Sequence, residues 1–148
     1  MNVHVYEVSW ESHQTELRAV RNAVFIEEQN VPRDLEWDGM DETSIHFIAE
    51  TSDGDVIGTA RLMPSGQIGR MAILISYRGH GIGRRMLDMA IQSAHRSGMK
   101  EVFLHAQSYA LEFYLKAGFI PDGQEFEEAG IPHRSMTRST EDRERSIR

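Results

Sequence analysis

A glycine-rich turn between a short apolar run and a longer amphipathic stretch constrains the fold of this chain more than any other feature. Residues 67–75 form the apolar run, which has the length of a β-strand. Three glycines, Gly79, Gly81 and Gly83, follow within five residues. This spacing predicts a strand, a turn and then a helix that packs one face on a sheet. The apolar residues of that helix recur every three or four positions, at Met86, Leu87, Ala90, Ile91 and Ala94.

The glycines make this turn a candidate site for an anion. The first N–H groups of a helix have no intrahelical partner and lie at the positive end of its dipole. Glycine lets a ligand approach the backbone closely, and Arg78 and Arg84 flank the turn. The turn lacks the Gly-Lys-Ser/Thr ending of a Walker loop and the G-x-G-x-x-G spacing of a dinucleotide fingerprint. We therefore expect a phosphate-bearing ligand of another class. The alternative is a tight turn that binds nothing.

The composition excludes several classes of protein. A chain of 148 residues forms one domain with a sizeable core. The absence of cysteine excludes disulfides, thiolate metal sites and a cysteine nucleophile. The seven histidines show no metal-binding spacing, so no metal is expected. The sequence also has no apolar run long enough for a membrane span and no signal peptide, which favours a soluble cytoplasmic protein.

The negative charge is concentrated in one segment. The whole chain carries a net charge of −7, which argues against nucleic-acid binding. Residues 27–42 contain seven acidic residues and a single base, Arg33, so this segment alone carries −6. Such a patch would attract a cationic acceptor such as an amine. A solvated acidic loop is the alternative interpretation.

The order of the remaining patterns predicts the fold class. We expect a strand at residues 3–10, a helix at 15–29 capped by Ser12, and an antiparallel meander through strands at 46–51, 56–63 and 67–75. The helix after the glycine turn leads to a parallel strand at 101–106, followed by a short helix at 110–117 and strands at 119–126 and 131–138. The predicted class is α/β (α+β), with a mixed, mostly antiparallel sheet of six to seven strands, one parallel pair, and helices on both faces. Residues 1–138 form the domain, and residues 139–148 form a charged, disordered tail.

Two motifs give the chain a family resemblance. The arrangement Arg78-x-x-Gly81-x-Gly83 after a strand resembles the acetyl-CoA pyrophosphate loop of the GCN5-related N-acetyltransferases (GNAT superfamily). Residues 107–119, QSYALEFYLKAGF, resemble the N-x-x-A-x-x-x-Y-x-x-x-G-F stretch of that family, with Gln107 in place of the more usual Asn. The flanks are similar to the ElaA-like branch, through Phe25-x-x-Glu28-Gln29, Glu36-x-Asp38-x-x-Asp41, Ile68-Gly69-Arg70 and Gly130-Ile131-Pro132-His133.

The resemblance implies an acetyl-CoA-dependent N-acetyltransferase that moves an acetyl group directly to an amine of a small molecule or peptide. It places Tyr114 as the general acid that protonates the leaving thiolate, with Tyr109 as a weaker candidate. Gln107 is expected to use its amide as a hydrogen-bonding group for pantetheine or the strand end. The implied cofactor-binding residues are Met71, Ala72, Ile73, Arg78, Gly79, His80, Gly81, Ile82, Gly83, Arg84, Gln107, Tyr109 and Tyr114.

The general base and the acceptor pocket have several candidates. Glu28 is the first choice for the base because it ends the first predicted helix near the substrate side, and the other candidates are Glu36, Asp38, His46 and His133. His133 is attractive because histidine suits proton transfer near neutral pH. The expected substrate-binding residues are Glu28, Glu36, Asp38, His46 and His133.

Two other functions are compatible with the sequence. One is a CoA-binding sensor or interaction module without turnover, and the other is an acyltransferase that uses a different acyl group or a hydroxyl acceptor. The resemblance leaves open whether the chain forms a homodimer, which is a common assembly in such folds.

Overall fold

The computed structural model describes residues 2–141, which form two four-stranded sheets with helices on both sides. The strands are β1 (Val3–Val8), β2 (Ile45–Thr51), β3 (Val56–Leu62), β4 (Ile68–Ile73), β5 (Glu101–Gln107), β6 (Ile120–Pro121), β7 (Phe126–Glu128) and β8 (Ile131–Ser139). The α-helices are α1 (Trp10–Arg21), α2 (Arg33–Glu36), α3 (Ile82–Arg96) and α4 (Leu111–Lys116). No helix in this range is long and apolar enough to cross a membrane.

The first sheet is the predicted antiparallel meander, in the order β1-β2-β3-β4. Because successive residues of a strand face opposite sides, each strand can serve two helices. In β2, Phe47 and Ala49 pack in one core with the apolar stripe of α3, whereas Ile48 packs in a second core with Leu17 of α1. The helices therefore cover opposite faces of this sheet, as predicted.

The second sheet joins the first at one point. It consists of β5, β8 and β6, with β7 also paired to β8. Gln67 and Phe103 form a parallel bridge, and the Phe103 N–H donates a hydrogen bond to the Gly66 carbonyl (3.1 Å). The parallel relation is thus confirmed, but β4 and β5 form no ladder beyond this bridge. Residues 2–141 thus form eight strands in two sheets rather than a single sheet of six to seven strands, with an opening between β4 and β5.

The first helix begins earlier than predicted and changes its winding. Ser9, not Ser12, is the N-cap, because its Oγ accepts a hydrogen bond from the Ser12 N–H (3.1 Å). The α-helical part ends at Arg21, and a π-helical segment, Asn22–Glu28, continues the chain to the predicted end. Wide π turns of this kind are frequent at functional sites.

The end of the chain also differs from the prediction. The single strand expected at residues 119–126 is divided into the short strands β6 and β7, which both pair with β8. The predicted tail begins too early, because Ser139 belongs to β8 and Thr140 is buried. The Thr140 hydroxyl donates to the Met99 carbonyl (2.8 Å), and its N–H donates to the Lys100 carbonyl (3.0 Å). The remainder of the predicted tail, residues 142–148, lies outside the described residues.

Three arginines neutralise the centre of the acidic segment. Arg21 contacts Glu36 and Asp41, each at 2.7 Å. Arg61 contacts Asp38 (2.9 Å) and Asp41 (3.0 Å). We call these residues, together with Arg70, the arginine–carboxylate cluster. Its three positive charges balance its three carboxylates, so the exposed negative patch is smaller than the sequence indicated.

Arg70 connects this cluster to the sheet. Its guanidinium lies 3.2 Å from the Glu36 carboxylate and 3.1 Å from that of Asp38, and it donates to the main-chain carbonyls of Leu35 and Glu36. Burial alone would raise the pKa of Asp38, but hydrogen bonds from Arg61 and the Met40 N–H, with the charges of Arg61 and Arg70, lower it to about 2. Asp38 therefore stays ionised at neutral pH.

We expect the substitution Arg21→Met to destabilise the protein by about 3–5 kcal/mol, because it leaves buried carboxylates with fewer positive partners. Arg21 is only 1% exposed. The measurement is the free energy of unfolding in urea. The matched control is Arg96→Met, since the Arg96 side chain is 63% exposed and lies 3.8 Å from Glu7, a geometry worth about 1 kcal/mol or less. Equal losses in the two variants would contradict the structural role of the cluster.

Candidate active site

The glycine turn forms an open cradle at the start of α3. Gly79 and Gly81 have φ angles of +82° and +78°, which side chains rarely adopt. Gly81 is the N-cap of α3, and no side chain caps the helix there. A Cβ added at Gly79 or Gly81 would find no atom within 4 Å. The start of α3 is therefore accessible to a ligand larger than water, and its N–H groups suit an anion.

Acidic partners hold the two arginines beside this cradle. The Arg78 guanidinium donates to both oxygens of Glu28, at 2.8 and 2.7 Å, and its Nε donates to the Ile73 carbonyl (2.8 Å). Arg84 contacts Asp88 at 3.1 Å. The hydrogen bonds from Arg78 lower the pKa of Glu28. Glu28 is thus a stable carboxylate next to the turn, which makes it a poor proton acceptor.

A cleft of about 420 Å³ lies where β4 and β5 diverge. Ile68, Arg70 and Met71 of β4 line one wall, and Leu104 and Gln107 of β5 line the other. The β4 wall is irregular, because the pairing of β3 with β4 shifts register between Thr59 and Arg61. On β4, Arg70 and Met71 together lie opposite a single residue of β3, Ala60. The φ angle of Arg70 is +51°. This bulge interrupts the ladder at the position where β4 faces the cleft.

Tyr114 reaches the cleft from α4. Its ring packs edge-on against Phe113 (5.0 Å between centroids) and Phe119 (6.1 Å). Burial, with a smaller effect of Tyr109, raises the pKa of Tyr114 to about 12. The phenol therefore keeps its proton at neutral pH and can donate it into the cleft. Tyr109 also lines the cleft but is exposed.

The comparisons with known proteins agree with this geometry. The family model of the acetyltransferase (GNAT) domain matches residues 12–140. The chain belongs to the GNAT acetyltransferase family. Among curated relatives, the protein ElaA of Escherichia coli (strain K12) is 32% identical over 130 residues, which cover 82% of this chain and 84% of ElaA.

Solved GNAT structures show the same fold. The crystal structure of Escherichia coli ElaA matches with a TM-score of 0.82 and 30% identity, covering 92% of this chain and 99% of that one. An acyl-CoA N-acyltransferase from Pseudomonas aeruginosa matches with a TM-score of 0.82 and 28% identity, covering 93% and 99%. A GNAT family acetyltransferase from Elizabethkingia anophelis, solved with acetyl-CoA bound, has a TM-score of 0.69 at 16% identity, covering 93% and 98%. The GNAT resemblance and its ElaA-like character are thereby confirmed.

Some residues expected in the GNAT site are placed elsewhere or are already paired. His46 is 1% exposed, contacts the Asp41 carbonyl through Nε2 (2.8 Å) and packs against Trp10, so it lies outside the cleft that three of the other predicted substrate-binding residues line. Gln107 does line the cleft, but its amide donates to the Gln29 side chain (3.0 Å). Glu28 lies at the glycine turn rather than among the residues that line the cleft.

The other residues that are expected to bind the acceptor substrate line the cleft. Glu36 and Asp38 lie on the wall formed by the arginine–carboxylate cluster, and His133 lies on the wall formed by β8. His133 donates from Nδ1 to the Ile131 carbonyl (2.7 Å), because a carbonyl can only accept. In the described residues, no group of three or more His, Cys, Asp or Glu side chains is arranged to hold a metal ion.

His105 is a cleft residue that was not predicted from the sequence. The side chain of this residue lines the cleft and contacts Glu128. The alternation of β5 contained the signal, because Val102, Leu104 and Ala106 are buried and therefore leave His105 and Gln107 on the opposite face.

We expect Gly81→Val to weaken CoA binding by at least about tenfold, because the side chain would strain the turn by about 1–2 kcal/mol and occupy the open cradle. Isothermal titration calorimetry with CoA measures this effect. Gly54→Val is a matched control: Gly54 also has a positive φ (+91°) and no atom within 4 Å of an added Cβ, but it belongs to the β2–β3 hairpin. Equal weakening by both variants would contradict a specific role of the cradle.

Proposed function

We propose that this GNAT protein is an acetyl-CoA-dependent N-acetyltransferase that moves the acetyl group directly to an amine of a small molecule or peptide. The observation that carries the proposal is the cleft between β4 and β5, which Tyr114 lines as a protonated phenol; the open helix start that follows β4 in the chain suits a phosphate. The acetyl-CoA bound to the Elizabethkingia anophelis relative supports CoA as the co-substrate.

The chain has groups suited to two parts of the co-substrate, the pyrophosphate and the acetylated pantetheine arm. The main chain of Gly79–Arg84, with its open glycines, suits the pyrophosphate, since N–H groups at a helix start favour an anion. We assign Met71, Ala72 and Ile73 to the pantetheine arm and the acetyl carbonyl, because β4 forms no ladder with β5 beyond the Gln67–Phe103 bridge, which leaves this edge of β4 facing the cleft. Fixed main-chain donors aimed at a carbonyl stabilise the negative charge that develops on it during acyl transfer.

Tyr114 is the proposed general acid. A thiol resembling cysteine has a pKa of about 8.5 in water, well below that of the Tyr114 phenol, about 12. The apolar surroundings that raise the pKa of the phenol also destabilise a thiolate and make it more basic. We therefore infer that the phenol delivers its proton as the C–S bond breaks, not before.

The amine has to reach the thioester in a neutral form. Among the candidates suggested by the sequence, Glu28 is the least suitable base, because Arg78 holds its carboxylate. We propose Glu36, Asp38 and His133 as parts of the acceptor pocket, since all three line the cleft. With no cysteine in the chain, an acyl-cysteine intermediate is excluded, which supports direct transfer between the bound substrates.

We expect an amine from a panel of small and peptide amines to stimulate thiol release from acetyl-CoA, and Tyr114→Phe to lower kcat by about tenfold or more without weakening CoA binding. Tyr6→Phe is the matched control, because it removes a phenol that contacts Glu50 on the first sheet, away from the cleft. CoA binding with no release by any amine would favour a sensor module. Preference for a longer acyl chain or a hydroxyl acceptor would favour the other alternative.

We expect Glu28→Gln to tighten CoA binding by about two- to fivefold, because it removes the charge that competes with phosphate for Arg78, and an exposed ion pair is worth about 0.2–1 kcal/mol. Calorimetry gives the affinity, and thiol release gives kcat. The neighbouring exposed residue supplies the control, Glu27→Gln. A collapse of kcat with unchanged CoA affinity would instead identify Glu28 as the base.

A further inference from the structure

One face of the second sheet carries a set of polar and aromatic residues, of which His105, Gln107 and His133 line the cleft. In the antiparallel pairing of β5 with β8, Gln107 lies opposite His133 and His105 lies opposite Ser135. In the pairing of β7 with β8, Phe126 lies opposite His133. Residues directly opposite each other share a face, so His105, Gln107, His133 and Phe126 all lie on one side of the sheet. The other side packs against the core through Leu104 and Met136.

His105 and Glu128 form a dyad on this face. The Nδ1 atom of His105 lies 2.9 Å from the Glu128 carboxylate. A carboxylate can only accept a hydrogen bond, so Nδ1 carries the proton and Nε2 of the neutral ring keeps its lone pair. Two aromatic rings hold the imidazole in place, Phe126 at 5.2 Å edge-on and Phe103 at 6.2 Å between centroids. The ring therefore has a defined tautomer and a defined orientation.

The dyad differs from the other histidine of the cleft. His133 is 7% exposed, stacks on Phe126 and has a neutral carbonyl as its Nδ1 partner. The His105 side chain is 31% exposed and has a carboxylate as its partner. A carboxylate compensates the positive charge that an imidazole gains when it takes up a proton, and a carbonyl does so less. Of the two rings, His105 is the better placed to accept a proton from a substrate.

The dyad and the proposed acid, Tyr114, lie on opposite sides of β5. Tyr114 packs against the core on the side of Leu104, whereas His105 belongs to the opposite face of β5. Both side chains line the same cleft. The other titratable or charged groups that line it are Glu128, His133 and Tyr109, and on the opposite wall four members of the arginine–carboxylate cluster, Glu36, Asp38, Arg61 and Arg70. An amine bound on the face of His105 would thus have a proton acceptor beside it. A thioester held between β4 and β5 would have a proton donor, Tyr114, on the opposite side.

We propose that His105, oriented by Glu128, takes the proton from the acceptor amine during acetyl transfer; this inference rests on the function proposed above. His105 is the catalytic residue of the dyad, and Glu128 is a positioning residue. The lone pair of the neutral amine forms the N–C bond to the acetyl carbon, and the C–S bond breaks. One N–H proton passes to Nε2 of His105, directly or through a water molecule, and the Tyr114 proton passes to the sulfur. His105 then loses its proton and Tyr114 regains one, which restores the starting state.

The first part of the test measures the tautomer and does not depend on turnover. In ¹⁵N-histidine NMR spectra of the full chain, with His105 assigned by the signal lost in His105→Ala, we expect the neutral ring to carry its proton on Nδ1. In Glu128→Ala we expect the proton to shift toward Nε2. If His105 of the wild type already carries its proton on Nε2, the proposal is overturned.

The second part measures thiol release with the amine that stimulates the wild type best. We expect His105→Ala to lower kcat/KM about 100-fold, Glu128→Ala to lower it less, and neither to change CoA affinity, since a general base contributes about 10²–10⁴-fold. Added imidazole should raise the kcat/KM of His105→Ala by about tenfold or more. A purely structural role of His105 would not produce this effect. The control is His4→Ala, at an exposed position of β1.

The outcomes separate the two proposals. Amine-dependent release by the wild type that persists unchanged in His105→Ala would overturn the role of His105 and leave the transferase function intact. Loss of rate without imidazole rescue, with weaker CoA binding, would also overturn it. Absence of amine-dependent release in the wild type would overturn the proposed N-acetyltransferase function, and proton transfer from an amine to His105 with it.

Discussion

The arginine–carboxylate cluster is the interaction on which the rest of the structure depends. It joins α1 through Arg21, β3 through Arg61 and β4 through Arg70 to carboxylates of residues 36–41. Buried charges are tolerated only when each has a partner. The cluster therefore acts as a unit, because removal of one member leaves the desolvation cost of its partners uncompensated. The acidic segment, which has little regular structure of its own, is held on the sheet by these contacts.

The same cluster shapes one wall of the cleft. Arg70 lies at the bulge of β4, where its φ of +51° departs from the extended backbone on either side. Its side chain bonds Glu36 and Asp38, so the acidic segment also keeps Arg70 in this strained position. Across the opening, β5, β7 and β8 form the other wall through their own pairing. The candidate site therefore lies between two sheets that share one core and whose strands, within residues 2–141, are joined by the bridge from Gln67 to Phe103.

Local patterns were sufficient to predict most of the fold and the outline of the site. The spacing of the apolar residues in α3 and the three glycines before it predicted the strand, turn and helix correctly, because these signals depend on residues close in the chain. Tyr114 was found through a local motif and lies in the cleft. The predicted start of the first helix was wrong because Ser9, not Ser12, is its cap, and the change to a π-helix was not predicted because that segment has no period of its own to detect.

The partners of the charged and titratable groups could not be predicted in this way. Arg78 and Glu28 are 50 residues apart in the chain. The sequence predicted them as separate site residues, whereas in the structure they form a hydrogen-bonded pair. His105 finds Glu128 only because β5 and β7 both pair with β8. The sequence alone determined most of the secondary structure, the glycine cradle and the tyrosine of the cleft, because short-range periodicity and backbone freedom are local properties. The tertiary structure alone decided which charges are neutralised and which histidines face the cleft, because both depend on distant segments brought together where β4 and β5 diverge.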